Sequence, residues 1–231
     1  MRSGDPDYVA LHHDLYRACG RGRWWVMEQQ PGPVNWAPYN PAPLPGMVRL
    51  WALEAFAHGA EVVSFFRWRQ APFGQEQYHS GLNLPNGEAD SACTEITQLK
   101  EELSLFAGEE TEPGDVALVY DYEAAWAIDI QPQSSEFVYL GEVFRFYHAV
   151  RQLGLNVDVV SQKRDLAGYR LVVVPPLPIV RPEFVDAVRR SSGLIVFGPR
   201  LGSKNANFCI PENLPPGPLQ EFLPFAGVKS R

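Results

Sequence analysis

The chain has 231 residues, 45% of them hydrophobic and 12% aromatic, which suffices for one large domain or two modest ones and excludes wholesale disorder. Its formal net charge of −7 argues against nucleic acid or an anionic membrane as a main partner, since both select basic surfaces. The longest apolar runs, such as "LVVVPPLPIV" at 171–180, carry prolines and fall far short of a membrane span.

The opening "MRSGDPDYVALHHDLYRACGRG" has no apolar leader and reads as a helix over 5–19. Asp-Pro supplies a cap and a first-turn proline, and Val9, His12/His13, Tyr16 and Cys19 keep helical spacing up to Gly20. Residues 24–27 form a short apolar strand, too continuous to have a solvent-facing side. Residues 31–46 hold six prolines and two glycines, so a long ordered loop follows that strand. "GMVRLWALEAFAHGA" is a second helix, with Val48, Trp51 and Ala55 on one face and Gly59 as C-cap. "EVVSFFRWRQ" is another buried strand, and a polar-aromatic loop runs from it to about Glu88. A third helix spans 91–106, with Ile96, Leu99 and Leu103 in register. This α-β-α-β-α order, with chemistry-rich loops after both strands, is half of an α/β layout. Two strands and three helices cannot close a sheet, so the segment reads as the tail end of a larger barrel.

"AGEETEPGD" at 107–115 is polar and turn-rich and is the expected boundary. Beyond it "VALVYDY" is a strand and "SEFVYLGEVFRFYHAVRQLG" an amphipathic helix. "NVDVVSQ" and "YRLVVVPP" are strands, "RPEFVDAVRRSSG" is a helix and "LIVFG" a further strand. The alternation predicts a small doubly wound, flavodoxin-like α/β domain whose sheet continues past Arg231. "FGPRLG" is neither a GxGxxG nor a P-loop, and no cysteine sits in a nucleophile elbow. The expected role of this domain is packing against other chains. Cys19, Cys93 and Cys209 lie far apart with no CxxC, which points to a reducing, cytoplasmic setting and to neither a disulfide framework nor a zinc knuckle.

Adjacent parallel strands bring their two C-terminal loops side by side. Glu28, Asn35 and Trp36 follow the first strand, and Arg67, Arg69, Glu76 and His79 follow the second. Two carboxylates, a histidine, arginines and aromatics suit a sugar, whose C–H faces stack on rings and whose hydroxyls bond to charged groups. Glu28, emerging from a dry strand beside an arginine, is suited to attack an anomeric carbon, or it merely pairs with that arginine. Trp36 is a sugar platform or loop packing, and Glu76 with His79 a ligand-holding or a surface pair. His12, His13, His58 and His148 lie on helices and read as structural or solvated. The adjacent side chains of "HHD" at 12–14 point apart and do not chelate together.

The stretches "WWVMEQQPGPVNWAPYNP", "PGMVRLWALEAFAHGAEVVSFFRWRQ" and "EQYHSGL" closely resemble the family 42 glycoside hydrolases, mainly β-galactosidases. The resemblance implies that residues 1–108 are the C-terminal portion, strands seven and eight, of a (β/α)8 catalytic barrel. It implies that residues 112–231 are an amidotransferase-like α/β trimerisation domain, incomplete at its C-terminus. By motif, Glu28 matches the family's nucleophile, Trp36 a sugar-contacting tryptophan, and Glu76 and His79 residues that hold galactose hydroxyls, with Phe66 close by. It further implies a β-galactoside substrate, a homotrimer in the complete protein, and neither cofactor nor catalytic metal. The family's acid/base is the glutamate of an Asn-Glu pair, which occurs nowhere in this sequence. The chain is therefore expected to be an inactive internal fragment. An α-L-arabinopyranosidase on the same scaffold and a non-catalytic oligomerisation module are the alternatives.

Overall fold

The structure, a computed structural model, describes residues 4–106 and 111–223. The expected boundary at 107–115 falls partly on residues 107–110, and the end of the chain on 224–231, which lie outside the described residues. The chain divides into two compact units, 1–112 and 113–231.

The first unit runs α1 (Pro6–Cys19), β1 (Trp24–Gln29), α2 (Met47–Ala57), β2 (Ala60–Phe65) and α3 (Ser91–Leu103), closed by a 3-10 turn at Ser104–Phe106. Asp5 caps α1, its Oδ1 accepting from the backbone N–H groups of Asp7 at 3.0 Å and Tyr8 at 3.3 Å, which is worth about 0.5–2 kcal/mol. The face that α1 buries is not the predicted one. Ala10, Leu11, His13, Asp14 and Leu15 are inside, while Tyr16 and Cys19 are exposed. Ala10, Leu11 and Leu15 form the helix's apolar stripe, and Asp14 is accommodated beside them by accepting from Arg17 at 2.9 Å and from His58 Nδ1 at 2.7 Å. His12 bonds the Tyr8 carbonyl instead, while His13 packs on Trp24 and meets, edge-on, the same His58 that Asp14 holds.

Helix α2 has no side-chain cap of its own, because Gly46 stands at that position. Glu95 of α3 supplies it across space, accepting from the N–H of Gly46 at 2.7 Å and of Arg49 at 3.0 Å. Arg49 in turn pairs with Glu102. At the other end His58 is the cap and Gly59, one residue on, takes the left-handed φ of 87° that ends the helix.

β1 and β2 are parallel. Trp24 and Ala60 form a core with Ala55 of α2, and Val26, Phe56 and Val63 pack against it; each large side chain so buried contributes about 1.5–3 kcal/mol. Both strands were expected to be buried throughout, and neither is. Trp25 is 53% and Met27 70% exposed, and Glu61, Val62 and Ser64 are also open. The sheet of this unit has two strands, and helices cover one of its faces.

The second unit contains β3 (Val116–Val119), α4 (Tyr122–Ile130), α5 (Tyr139–Gln152), β4 (Val157–Val160), β5 (Leu171–Val174), α6 (Pro182–Arg190) and β6 (Leu194–Phe197). Four parallel strands lie in the order β4-β3-β5-β6, with β3 buried at all of its residues and β6 a partly exposed edge. Both units are thus α/β. The sequence reading missed α4, although Asp121 is its N-cap and accepts from the Ala124 N–H at 3.0 Å. Gln162 ties the C-terminal ends of the strands together. It is fully buried, donates to Asp121 at 2.6 Å and to the Ile179 carbonyl at 3.1 Å, and accepts from the Arg181 N–H at 2.9 Å. No described helix is long and apolar enough to cross a membrane.

Candidate active site

The site residues lie at the C-terminal end of β1, where Glu28 sits, and on the two loops that leave β1 and β2. Backbone bonds join these loops directly. Phe66 N–H donates to the Gln29 carbonyl at 3.0 Å and Ser80 N–H to the Pro33 carbonyl at 3.0 Å. Asn35 Nδ2 donates to the carbonyl of Gln75. Gly32 makes the approach possible, since a Cβ there would sit 2.7 Å from Cβ and Oγ of Ser80.

Glu28 reaches solvent through an irregularity in its own strand. Val26 pairs with Val63 and Gln29 with Phe65, so β1 advances three residues while β2 advances two. In an unbroken strand Glu28 would share the helix-facing side of Trp24 and Val26, by the two-residue period. The extra residue breaks that period, and Met27 and Glu28 are both exposed. Glu28 Oε1 accepts from Gln30 Nε2 at 2.6 Å. The arginine expected beside Glu28 is engaged elsewhere: Arg67 pairs with Glu76. Sequence reasoning passed over Gln30, whose signal was its place two residues beyond Glu28 on an extended segment.

Phe66, Arg67, Glu76 and His79 form one cluster. The Arg67 guanidinium lies 4.5 Å from the centroid of the Phe66 ring, and Phe66 meets His79 edge-on at 6.3 Å and 81°. His79 is 3% exposed, and neither ring nitrogen has a hydrogen-bond partner among the described residues. A buried imidazole lacking partners is costly in a folded protein, and a site for a ligand is one explanation for it. Trp36 stands out from the first loop, 71% exposed, beside the Asn35 that ties that loop to the second. Glu28, at the end of β1, and Trp36, on the loop that follows it, therefore lie on one side and the four-residue cluster on the other, coupled through the backbone bonds between the loops.

An exposed carboxylate, a largely exposed indole and a half-buried charged cluster on adjoining strand ends can bind a polyhydroxylated ligand and present a nucleophile to it. Known proteins resemble the chain over nearly its whole length. Residues 2–106 match the glycoside hydrolase family 42 model described as "Beta-galactosidase", and residues 114–230 match the model described as "Beta-galactosidase trimerisation domain". A β-galactosidase of a Thermus species is 59% identical over 228 residues, 99% of this chain and 35% of that protein. A β-galactosidase of Halorubrum lacusprofundi is 42% identical over 96% of this chain and 32% of its own length. The crystal structure of a β-galactosidase from the psychrophilic Marinomonas ef1 superposes with a TM-score of 0.93 at 49% identity, covering 99% of this chain and 36% of that one. The chain thus spans about a third of the relatives it matches, and across that span it belongs to glycoside hydrolase family 42.

Proposed function

We propose that the complete protein hydrolyses terminal non-reducing β-D-galactosyl groups with retention of configuration. The observation that carries this reading is the 59% identity to a Thermus β-galactosidase over 228 residues, a span that takes in both strand-end loops. The arabinopyranoside alternative draws no support from the names of the relatives.

In the proposed mechanism Glu28 attacks the anomeric carbon and forms a glycosyl–enzyme ester as the aglycone oxygen leaves. Water then attacks the same anomeric carbon from the opposite face, which displaces the Glu28 carboxylate and releases galactose with its configuration retained. The bulge supports the assignment, since it holds the carboxylate out of the helix-facing side at the end of a strand whose start is buried. Trp36 flanks the sugar, Glu76 and His79 receive its hydroxyls, and Phe66 backs His79. Retention requires a second carboxyl group about 5 Å from the first, to protonate the leaving oxygen and later to activate water. That group is assigned to the part of the relatives that this chain does not span, so residues 1–231 alone should be inactive.

The bare face of β1 and β2, with Trp25 and Met27 exposed, fits the lumen side of a (β/α)8 barrel in which these are strands seven and eight. Residues 1–108 would then close the barrel. Residues 112–231 would form a flavodoxin-like doubly wound domain whose family description points to a homotrimer. Three free cysteines fit a reducing cytoplasm, the compartment we assign.

The test is Glu28→Gln in the complete protein, assayed on an aryl β-galactoside. Turnover should be lost while the thermal midpoint holds within a degree or two. Near-normal turnover would sink the nucleophile assignment.

A further inference from the structure

The geometry points to Arg67 as a positioning residue of the candidate site, the group that fixes the carboxylate of Glu76 for the sugar. The inference rests on the proposed reading of Glu76 as a substrate-holding residue.

Glu76 sits on an irregular loop, in a tight turn where the His79 N–H donates to its carbonyl at 3.0 Å, and half of its side chain is exposed. A carboxylate on such a turn has many rotamers open to it, and selective binding of a hydroxyl needs one. Arg67 restricts them. Its guanidinium donates to Oε2 of Glu76, while Oε1 has no partner among the described residues and remains available to a ligand.

Arg67 is itself held. Its side chain is 20% exposed, and the guanidinium lies 4.5 Å from the centroid of the Phe66 ring, a favourable place for a cation. Phe66 meets the buried His79 edge-on, so one guanidinium stands between the carboxylate and the aromatic wall of the histidine.

Stability does not account for this placement. A partly exposed ion pair contributes little to folding, and burying a guanidinium that cannot lose its charge is unfavourable. Its Nε is buried with no partner among the described residues, a further cost. Costs of this kind are tolerated where a side chain must be held for function. Lysine could supply the charge, but its compact ammonium offers no delocalised group that lies over Phe66 while one of its N–H groups donates to Glu76.

The experiment is a double-mutant cycle in the complete enzyme, with kcat and KM measured on an aryl β-galactoside for wild type, Arg67→Met, Glu76→Ala and the double variant, and thermal midpoints alongside. Each single change should lower kcat/KM by about 10- to 100-fold, the scale of a misplaced binding group. The double variant should fall no further than the worse single one, because both remove the same held carboxylate. Arg67→Lys should recover only part of the loss, with its thermal midpoint near wild type. Losses that multiply in the double variant, or an Arg67→Met enzyme within twofold of wild type, would overturn the proposal. If Arg67→Met does not fold, Arg67→Lys decides: activity within twofold of wild type overturns the role, and a tenfold loss in a folded protein supports it. The cycle is read from kcat/KM whichever group attacks, so a failed Glu28 assignment and a failed Arg67 role give separate results.

Discussion

Ser80 donates its backbone N–H to the carbonyl of Pro33 at 3.0 Å, and this bond fastens the loop after β2 to the loop after β1. Glu28 and Trp36 lie on one side of that fastening, and Phe66, Glu76 and His79 on the other. The candidate site therefore depends on how closely two irregular segments approach, not on either strand alone.

Gly32 is the point at which that approach can be loosened. An alanine Cβ there would lie 2.7 Å from the Ser80 side chain, so the loops must separate or Ser80 must move. Overpacking of this kind costs typically 1–3 kcal/mol. Gly32→Ala in the complete protein should lower kcat/KM by roughly tenfold, since sub-ångström displacement of binding groups is felt in catalysis. Steady-state kinetics on an aryl galactoside check it; wild-type kinetics would mean that the loops adjust independently.

Glu95 caps a helix to which it does not belong. Its two oxygens accept from the N–H groups of Gly46 and Arg49, and the carboxylate also faces the positive end of α2. Glu95→Ala should destabilise the protein by about 1–2 kcal/mol, the scale of a lost N-cap. Urea unfolding followed by circular dichroism measures it, and the loss should show as a lower midpoint with an unchanged slope.

His13 makes the first unit acid-sensitive. Burial, followed by the nearby His58, lowers its pKa from 6.5 to about 4; Asp14 opposes the shift, while His12 and Arg17 add to it. The unfolded chain then binds more protons than the folded one between pH 4 and pH 6.5, so stability rises with pH across that window. The contribution is fully present above pH 6.5 and is lost as pH falls toward 4, amounting to about 3 kcal/mol. Thermal midpoints from pH 4 to pH 7, compared between wild type and His13→Leu, should show a shallower slope in the variant. Equal slopes would place the acid sensitivity elsewhere.

The sequence by itself carried the order of elements, because runs such as "VALV" at 116–119 and the capped, periodic segments declare strands and helices through local chemistry. It also carried which residues gather at the two strand ends, since parallel neighbours must present their C-terminal loops together. It contained the signal for α4 as well, in Asp121 ahead of a helix-forming run, which the sequence reading leaves unassigned. Other features depend on partners distant in the chain. The burial of Asp14 on α1 depends on His58, the α2 cap on Glu95, and the exposure of Trp25 and Met27 on the lack of a covering layer on that face. Above all, the exposure of Glu28 goes with the irregular pairing of β1 with β2, which shifts between Trp24 and Trp25 and again between Val26 and Gln29. A strand's period of two indicates which side chains share a face only while the register holds, and register belongs to the pair of strands and not to either sequence.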